Sequence, residues 1–216
     1  GALHGVPMTI KEQYKVRGTQ VTLGATDKIG NVYEDEGPLV TRLRAEGAII
    51  LGKTNIAQTL LGYESDNRVY GRSNNPWDLT RSPGGSSGGD AAIIAAGGVP
   101  LALASDLGGS VRIPPLFCGV HGFKPTMGRF TNDDFPGELL GYGQEAILAQ
   151  PGPIARTVAD LALAMGVFAH RGTFGAMRAQ LKGLSQPGSC PVQTPLETSA
   201  MTVQPTEQCV QTDFTV

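Results

Sequence analysis

The sequence predicts an α/β fold with helices layered on a sheet, and three observations carry that prediction. Short apolar runs alternate with helix-patterned segments along residues 1–170, the pattern that layers helices on a sheet. Of 216 residues, 40% are apolar and 17% charged, enough to bury a sizeable core. Thirty glycines are too many for a helical bundle and show no collagen period.

The elements follow in order. Residues 6–10 are a short apolar run and read as a strand. Residues 39–44 look helical, with Gly47 near the end, where glycine stops helices. Residues 48–51, Ala-Ile-Ile-Leu, read as a buried strand. Residues 55–61 suit a second helix capped by Asn55. Residues 87–96 are small and apolar, as in a helix packed close to its neighbours, and 101–104 read as another strand. Residues 154–170 are the clearest helix. Thr157 can cap it and Asp160 completes a capping-box pattern. Val158, Leu161, Ala162, Met165 and Phe168 would then share one face. Beyond residue 170 the pattern fails. Residues 182–216 hold nine Ser and Thr, five Gln, four Pro and four charged residues. Such a composition buries too little apolar surface to offset its ordering entropy. The expected organisation is a domain over 1–170 and a low-order, divergent tail over 171–216.

Bulk properties exclude several function classes. Seventeen basic and 19 acidic residues give a net charge of −2, so no nucleic acid or acidic membrane is expected as partner. No apolar run reaches the ~18 residues of a membrane segment. Cys118, Cys190 and Cys209 lack metal-ligand spacing and do not suggest a disulfide framework. A reducing compartment, and hence the cytoplasm, is favoured. The chain opens at Gly1 directly into strand-like sequence, shows no signal peptide, and reads as a fragment.

Two short motif matches fail on context. Residues 47–54 match G-x-x-x-x-G-K-[ST]. A phosphate cradle needs a loop between its glycines, whereas Ala-Ile-Ile-Leu favours a strand, which leaves Lys53 a solvated or structural lysine. Residues 84–88 match G-x-S-x-G. That elbow needs a preceding strand, and Ser82-Pro83-Gly84 is a turn signal instead. Only His121 and His170 lie downstream as bases.

The densest signal is Ser82-Pro-Gly-Gly-Ser-Ser-Gly-Gly89, followed by Asp106-Leu-Gly-Gly-Ser-Val-Arg-Ile-Pro114. Ser86 and Ser110 are both flanked by glycines, which remove bulk and let a substrate approach the backbone. Leu107, Gly108, Gly109 and Ser110 offer consecutive N–H groups. If Ser110 opens a helix, they can bind developing negative charge, the recipe for an oxyanion hole beside a nucleophile. Histidine is scarce, so a lysine must be considered as the base. Lys11, ending the first strand run, can be neutral near pH 7 in apolar surroundings. The plain alternatives are a surface lysine and turn serines.

These residues resemble the amidase signature family of serine hydrolases. Gly5-Val-Pro-Met-Thr-Ile-Lys-Glu12 is similar to its lysine motif. Gly71-Arg-Ser-Asn-Asn-Pro-Trp-Asp78 with residues 82–89 resembles the start of its signature, and residues 106–114 its nucleophile segment. Cys118-Gly-Val-His-Gly-Phe-Lys-Pro-Thr126 resembles the segment that follows. The spacings of 75 residues from Lys11 to Ser86 and 24 to Ser110 agree with the family.

The resemblance implies a partial amidase signature fold, with a mixed β-sheet core covered by helices and a low-order C-terminal tail, and a role for each residue. Ser110 would be the nucleophile, Ser86 a bridging serine held by a cis peptide bond, and Lys11 the ultimate base. Asp106, Arg112 and Ser87 would support the site, with Ser82 and Ser87 hydrogen-bonding around the lysine or the glycine loop. Leu60, where some members place a substrate-facing side chain, and Gly85 would line the substrate site; core packing is the alternative for Leu60. The expected activity is hydrolysis of an amide through an acyl-enzyme, with no metal or organic cofactor. The partner would be a small-molecule amide, with a homo-oligomer left open. Two alternatives stand: a truncated non-catalytic product, and a component of a glutamyl-tRNA amidotransferase-type complex. His121 and Cys118 read as structural.

Overall fold

A computed structural model of the chain describes residues 1–127, 129–130, 133–136 and 149–169. The elements in order are β1 (Pro7–Lys11), β2 (Thr19–Gln20), β3 (Val32–Tyr33), α1 (Pro38–Ala45), β4 (Ile49–Thr54), β5 (Asp66–Asn67) and β6 (Gly71–Arg72). Then come α2 (Gly88–Ala95), β7 (Leu101–Asp106), α3 (Ile113–Cys118), β8 (His121–Gly122), β9 (Gln150–Ala155) and α4 (Val158–Phe168). The main sheet runs β4-β1-β7-β9-β8. β1 is parallel to both β4 and β7, and β9 pairs antiparallel with β7 and β8. The sheet is therefore mixed, as the family resemblance implies. Lys11 lies level with Thr54, and Ile10 with Leu103. The carboxyl ends of three parallel strands thus share one edge, where open α/β sheets place their sites.

Each face of the sheet has its own core. Met8 and Ile10 of β1 pack with Leu39, Val40 and Leu43 of α1 and with Leu161, Ala164, Val167 and Phe168 of α4. Ala102 and Ala104 of β7 pack with Ile94 of α2, Val111 and Ile154 on the other side. Side chains alternate along a strand, so Thr9 and Lys11 turn away from the first core. α1 starts at Pro38, whose missing N–H is harmless there. Its N-cap, Gly37, has no side chain to offer. The buried Asp134 serves instead, accepting the Leu39 N–H at 2.8 Å.

Four expectations need correction. Residues 55–61 form no α-helix. The chain makes a single 3-10 turn at Gln58–Leu60, with Thr59 and Leu60 at φ of 55° and 63°. Asn55 caps no helix; its side chain instead binds the carbonyls of Ser65 and Gly71 and the Ser73 hydroxyl. Residues 150–155 are a strand, and the helix begins at Val158. Pro151 and Pro153 disguised that strand. Lying two apart, their missing N–H groups fall on one edge. Thr157 does cap α4, accepting the Asp160 N–H at 3.1 Å. The buried face of α4 is Leu161, Ala164, Val167 and Phe168, whereas Val158 is 64% exposed. Finally, β4 is the end strand of the described sheet, so Ile49 and Leu51 are exposed where burial was expected. Its strand conformation agrees with the rejection of a phosphate loop at 47–54. Residue 170 and the tail lie outside the described residues.

Candidate active site

Lys11 ends β1 and is fully buried. Its Nζ donates to Ser86 Oγ at 2.8 Å, to Ser105 Oγ at 3.0 Å and to the Ser105 carbonyl at 3.3 Å. Ser105, on the neighbouring β7, donates in turn to Gln13 Oε1 at 2.7 Å. Burial pulls the Lys11 amine down from 10.5 to about 7, and the carboxylates of Asp90 and Asp106 oppose that pull. Lys11 is thus poised to accept a proton near neutrality.

Ser86 is carried by the loop before α2. The Gly85–Ser86 peptide bond is cis. A side chain at Gly85 would meet the Glu64 nitrogen and the Gly62 carbonyl at 2.8 Å, so two backbones touch where only glycine fits. Ser65 staples this loop, donating to the Gly84 carbonyl at 3.0 Å and accepting the Gly88 N–H at 2.8 Å. Ser87 donates to the Ser105 carbonyl at 3.3 Å, and Ser82 Oγ accepts the Gly84 N–H at 3.1 Å. Ser86 Oγ donates to Ser110 Oγ at 2.9 Å. Lys11, Ser86 and Ser110 therefore form one continuous hydrogen-bonded chain.

Ser110 stands in a turn rather than at a helix start, because α3 begins three residues later at Ile113. Asp106 builds that turn. Its buried carboxylate accepts the N–H groups of Gly109 at 2.8 Å and Val111 at 3.0 Å. Arg112 grips the same carboxylate through two nitrogens at 2.9 and 3.0 Å. Burial pushes the Asp106 carboxyl up, but the bonds from Arg112, Val111 and Gly109 outweigh it and hold it below its ordinary 3.8. Gly109 is thereby committed to Asp106, which removes it from the four expected oxyanion donors. The N–H groups of Leu107, Gly108 and Ser110 bind no acceptor among the described residues.

A cavity of about 130 Å³ opens onto this site. Lys11, Ser86, Ser105 and Ser110 line its polar end, and Leu60, Tyr63, Leu107 and Phe135 supply apolar wall. Leu60 thus faces the cavity. Gly85 lies under the wall, against the backbone of residues 62–64. The flanking motifs brace one another: Trp77 Nε1 donates to the Cys118 carbonyl at 2.7 Å, and Asn75 to the Phe117 carbonyl at 2.9 Å. Cys118 is buried, with its thiol pushed up to about 11 by burial, while His121 is exposed. Lys53 is structural, donating to the Gln20 carbonyl at 2.8 Å.

Sequence reasoning missed Ser105 and Gln13. The usable signal for Ser105 was a lone hydroxyl ending an apolar strand directly before Asp106.

The Amidase family profile matches residues 1–187, and the chain belongs to the amidase signature family. It is 42% identical to fatty-acid amide hydrolase 1 of Sus scrofa over 165 residues, 76% of this chain and 28% of that protein. It is 44% identical to the A subunit of glutamyl-tRNA(Gln) amidotransferase from Methanosarcina acetivorans over 169 residues, 78% of this chain and 34% of that one. A solved fatty acid amide hydrolase superposes with a TM-score of 0.74 at 34% identity, covering 89% of this chain and 33% of that one. The A subunit of the Thermotoga maritima amidotransferase superposes at 0.69 with 35% identity, covering 76% and 35%. The chain thus spans about a third of the relatives it matches. No helix among the described residues is long and apolar enough to cross a membrane.

Proposed function

We propose that this chain carries the catalytic centre of a carboxylic-amide hydrolase that works through an acyl-enzyme on Ser110. The observation that supports it best is the unbroken chain from Lys11 Nζ to Ser86 Oγ to Ser110 Oγ, at 2.8 and 2.9 Å. With both hydroxyls turned so that Ser110 donates to Ser86 and Ser86 to Lys11, neutral Lys11 takes the Ser86 proton as Ser86 takes that of Ser110. The freed oxygen pair of Ser110 forms a bond to the amide carbon, and the carbonyl electrons move onto oxygen. The N–H groups of Leu107, Gly108 and Ser110, without an acceptor among the described residues, are suited to that oxyanion; one such donor is typically worth about 3 kcal/mol. The proton on Lys11 returns through the serines to the leaving nitrogen as the C–N bond breaks, and water then releases the acid by the same relay. The largely apolar wall favours amides with an uncharged group beside the carbonyl.

A second reading is a component of an amidotransferase complex, in which the same relay would release ammonia for a partner. The 44% identity to an amidotransferase component favours it. A fluorophosphonate probe tests the centre common to both. The full 216-residue chain should be labelled covalently, and Ser110→Ala should abolish labelling. Absence of labelling in a folded chain would instead mark a non-catalytic product.

A further inference from the structure

The helix that follows the bridging serine brings a buried carboxylate to the face of the sheet that carries Lys11. Asp90, in the first turn of α2, is wholly buried, and α2 packs against β1. Thr54, level with Lys11 on β4, donates its hydroxyl to Asp90 Oδ1 at 2.6 Å. Asp90 Oδ2 has no hydrogen-bond partner among the described residues, and neither has the buried Thr9 hydroxyl on the same face of β1 as Lys11. A carboxylate buried with one oxygen unmatched is costly unless a charge compensates it. Burial accordingly raises the Asp90 carboxyl, while the Thr54 bond, the Lys11 charge and, more weakly, the nearby Thr9 hydroxyl oppose the rise. Lys11 is the cation whose charge acts on Asp90. The other titratable groups around the pair are Asp106, already gripped by Arg112, and Tyr14, whose hydroxyl donates to the Ala104 carbonyl at 2.7 Å.

We propose that Asp90 is a positioning residue for the Lys11 base: its carboxylate, oriented by Thr54, is the counter-charge for the buried ammonium formed when the relay delivers its proton. The inference rests on the reading of Lys11 as base. Its consequence has two opposed parts. Without the carboxylate the ammonium is less stable, so Lys11 stays neutral to lower pH. The same amine is then a weaker base, so proton transfer slows wherever it is already neutral.

The test compares the 216-residue chain with its Asp90→Asn variant, which can still accept the Thr54 hydroxyl. The titration of Lys11 is followed by NMR of ¹³Cε-labelled lysine, its signal assigned by loss in Lys11→Gln. Fluorophosphonate labelling rates are measured across the same pH range. The Lys11 midpoint should fall by about one unit in Asp90→Asn. The acid limb of labelling should fall with it, while the alkaline plateau drops severalfold. A merely structural role would lower the rate at every pH and leave the midpoint in place, and that result overturns the proposal. Should Asp90→Asn fail to fold, the coupling is read in reverse, since it is reciprocal. The Asp90 carboxyl midpoint should rise by about one unit in Lys11→Gln, and an unmoved midpoint overturns the proposal equally. An unlabelled wild-type chain whose Lys11 midpoint still shifts in Asp90→Asn would overturn the hydrolase reading and uphold the pairing.

Discussion

Ser86 gives Ser110 two hydrogen bonds at once: its hydroxyl lies 2.9 Å from Ser110 Oγ and its backbone N–H 3.0 Å away. The two have different fates in the proposed reaction. The hydroxyl passes a proton along, whereas the N–H stays to steady the alkoxide. Ser86→Ala should therefore cut the relay and spare the cradle. Probe labelling should slow by about 10²- to 10⁴-fold, with little change in Tm. A labelling rate near that of the wild type would remove Ser86 from the mechanism.

As the proposed base, Lys11 should set the pH dependence. Because burial brings its amine to about 7, labelling should rise through that pH and then level off. Lys11→Met should remove this limb along with about 10³-fold of the rate. Stability carries the same sign. Between about 7 and the ordinary 10.5 the unfolded chain holds a proton that the native state has lost, so this group's contribution rises with pH there. Denaturant titrations from about pH 7 to 10 should show a flatter stability profile for Lys11→Met than for wild type.

Gly85→Ala tests the contact between the bridging loop and residues 62–64. The added carbon would meet backbone atoms at 2.8 and 2.9 Å, which cannot rotate away. A loss of about 1–3 kcal/mol is expected, together with loss of labelling as Ser86 is displaced. Full stability and full labelling in this variant would contradict the geometry.

Asp106→Asn should cost about 3 kcal/mol near neutral pH, because an amide nitrogen would face donors from Gly109, Val111 or Arg112. The native carboxyl is held below its ordinary value. Its contribution is therefore present above about pH 4 and disappears as pH falls through the lowered value. The gap between variant and wild type, measured by urea unfolding, should close on acidification.

Asp134 behaves in the opposite way. Burial raises its carboxyl from 3.8 to about 7, against the pull of the Leu39 and Val40 amides. Its stabilising contribution is complete below about pH 4 and is lost as pH rises to about 7. Asp134→Asn stays neutral and can still accept the Leu39 N–H. Its Tm should match wild type near about pH 3.5 and exceed it at about pH 8.

The chemistry was more legible in the sequence than the packing. Lys11, Ser86, Ser110 and Asp106 sit in glycine- and proline-rich stretches whose local backbone demands are strong, so those stretches betray a site. β1 and β7 were readable as apolar runs, although both extend one or two residues further, to Lys11 and Ser105-Asp106. β9 was not, because Pro151 and Pro153 speak against a strand locally and are tolerated only through its pairing. The helix expected at 55–61 lost to a tertiary demand: Gly89 lies so close to the Asn55 backbone that its Cβ would meet it at 2.6 Å. Asp90 looked like an ordinary first-turn acid of a small helix. Only the packing of α2 on β1 brings it to the face of the sheet that carries Lys11.

The relay is assembled from chain segments 75, 24 and 94 residues apart. Each closure must overcome loop entropy before any bond rewards it. No local helix or hairpin can display a reactive Ser110 by itself. The nucleophile should appear only once β1 and β7 have found their register and the serine loop has docked. Probe reactivity during refolding would then lag secondary structure and time the last long-range closure, making Ser110 a clock for topology.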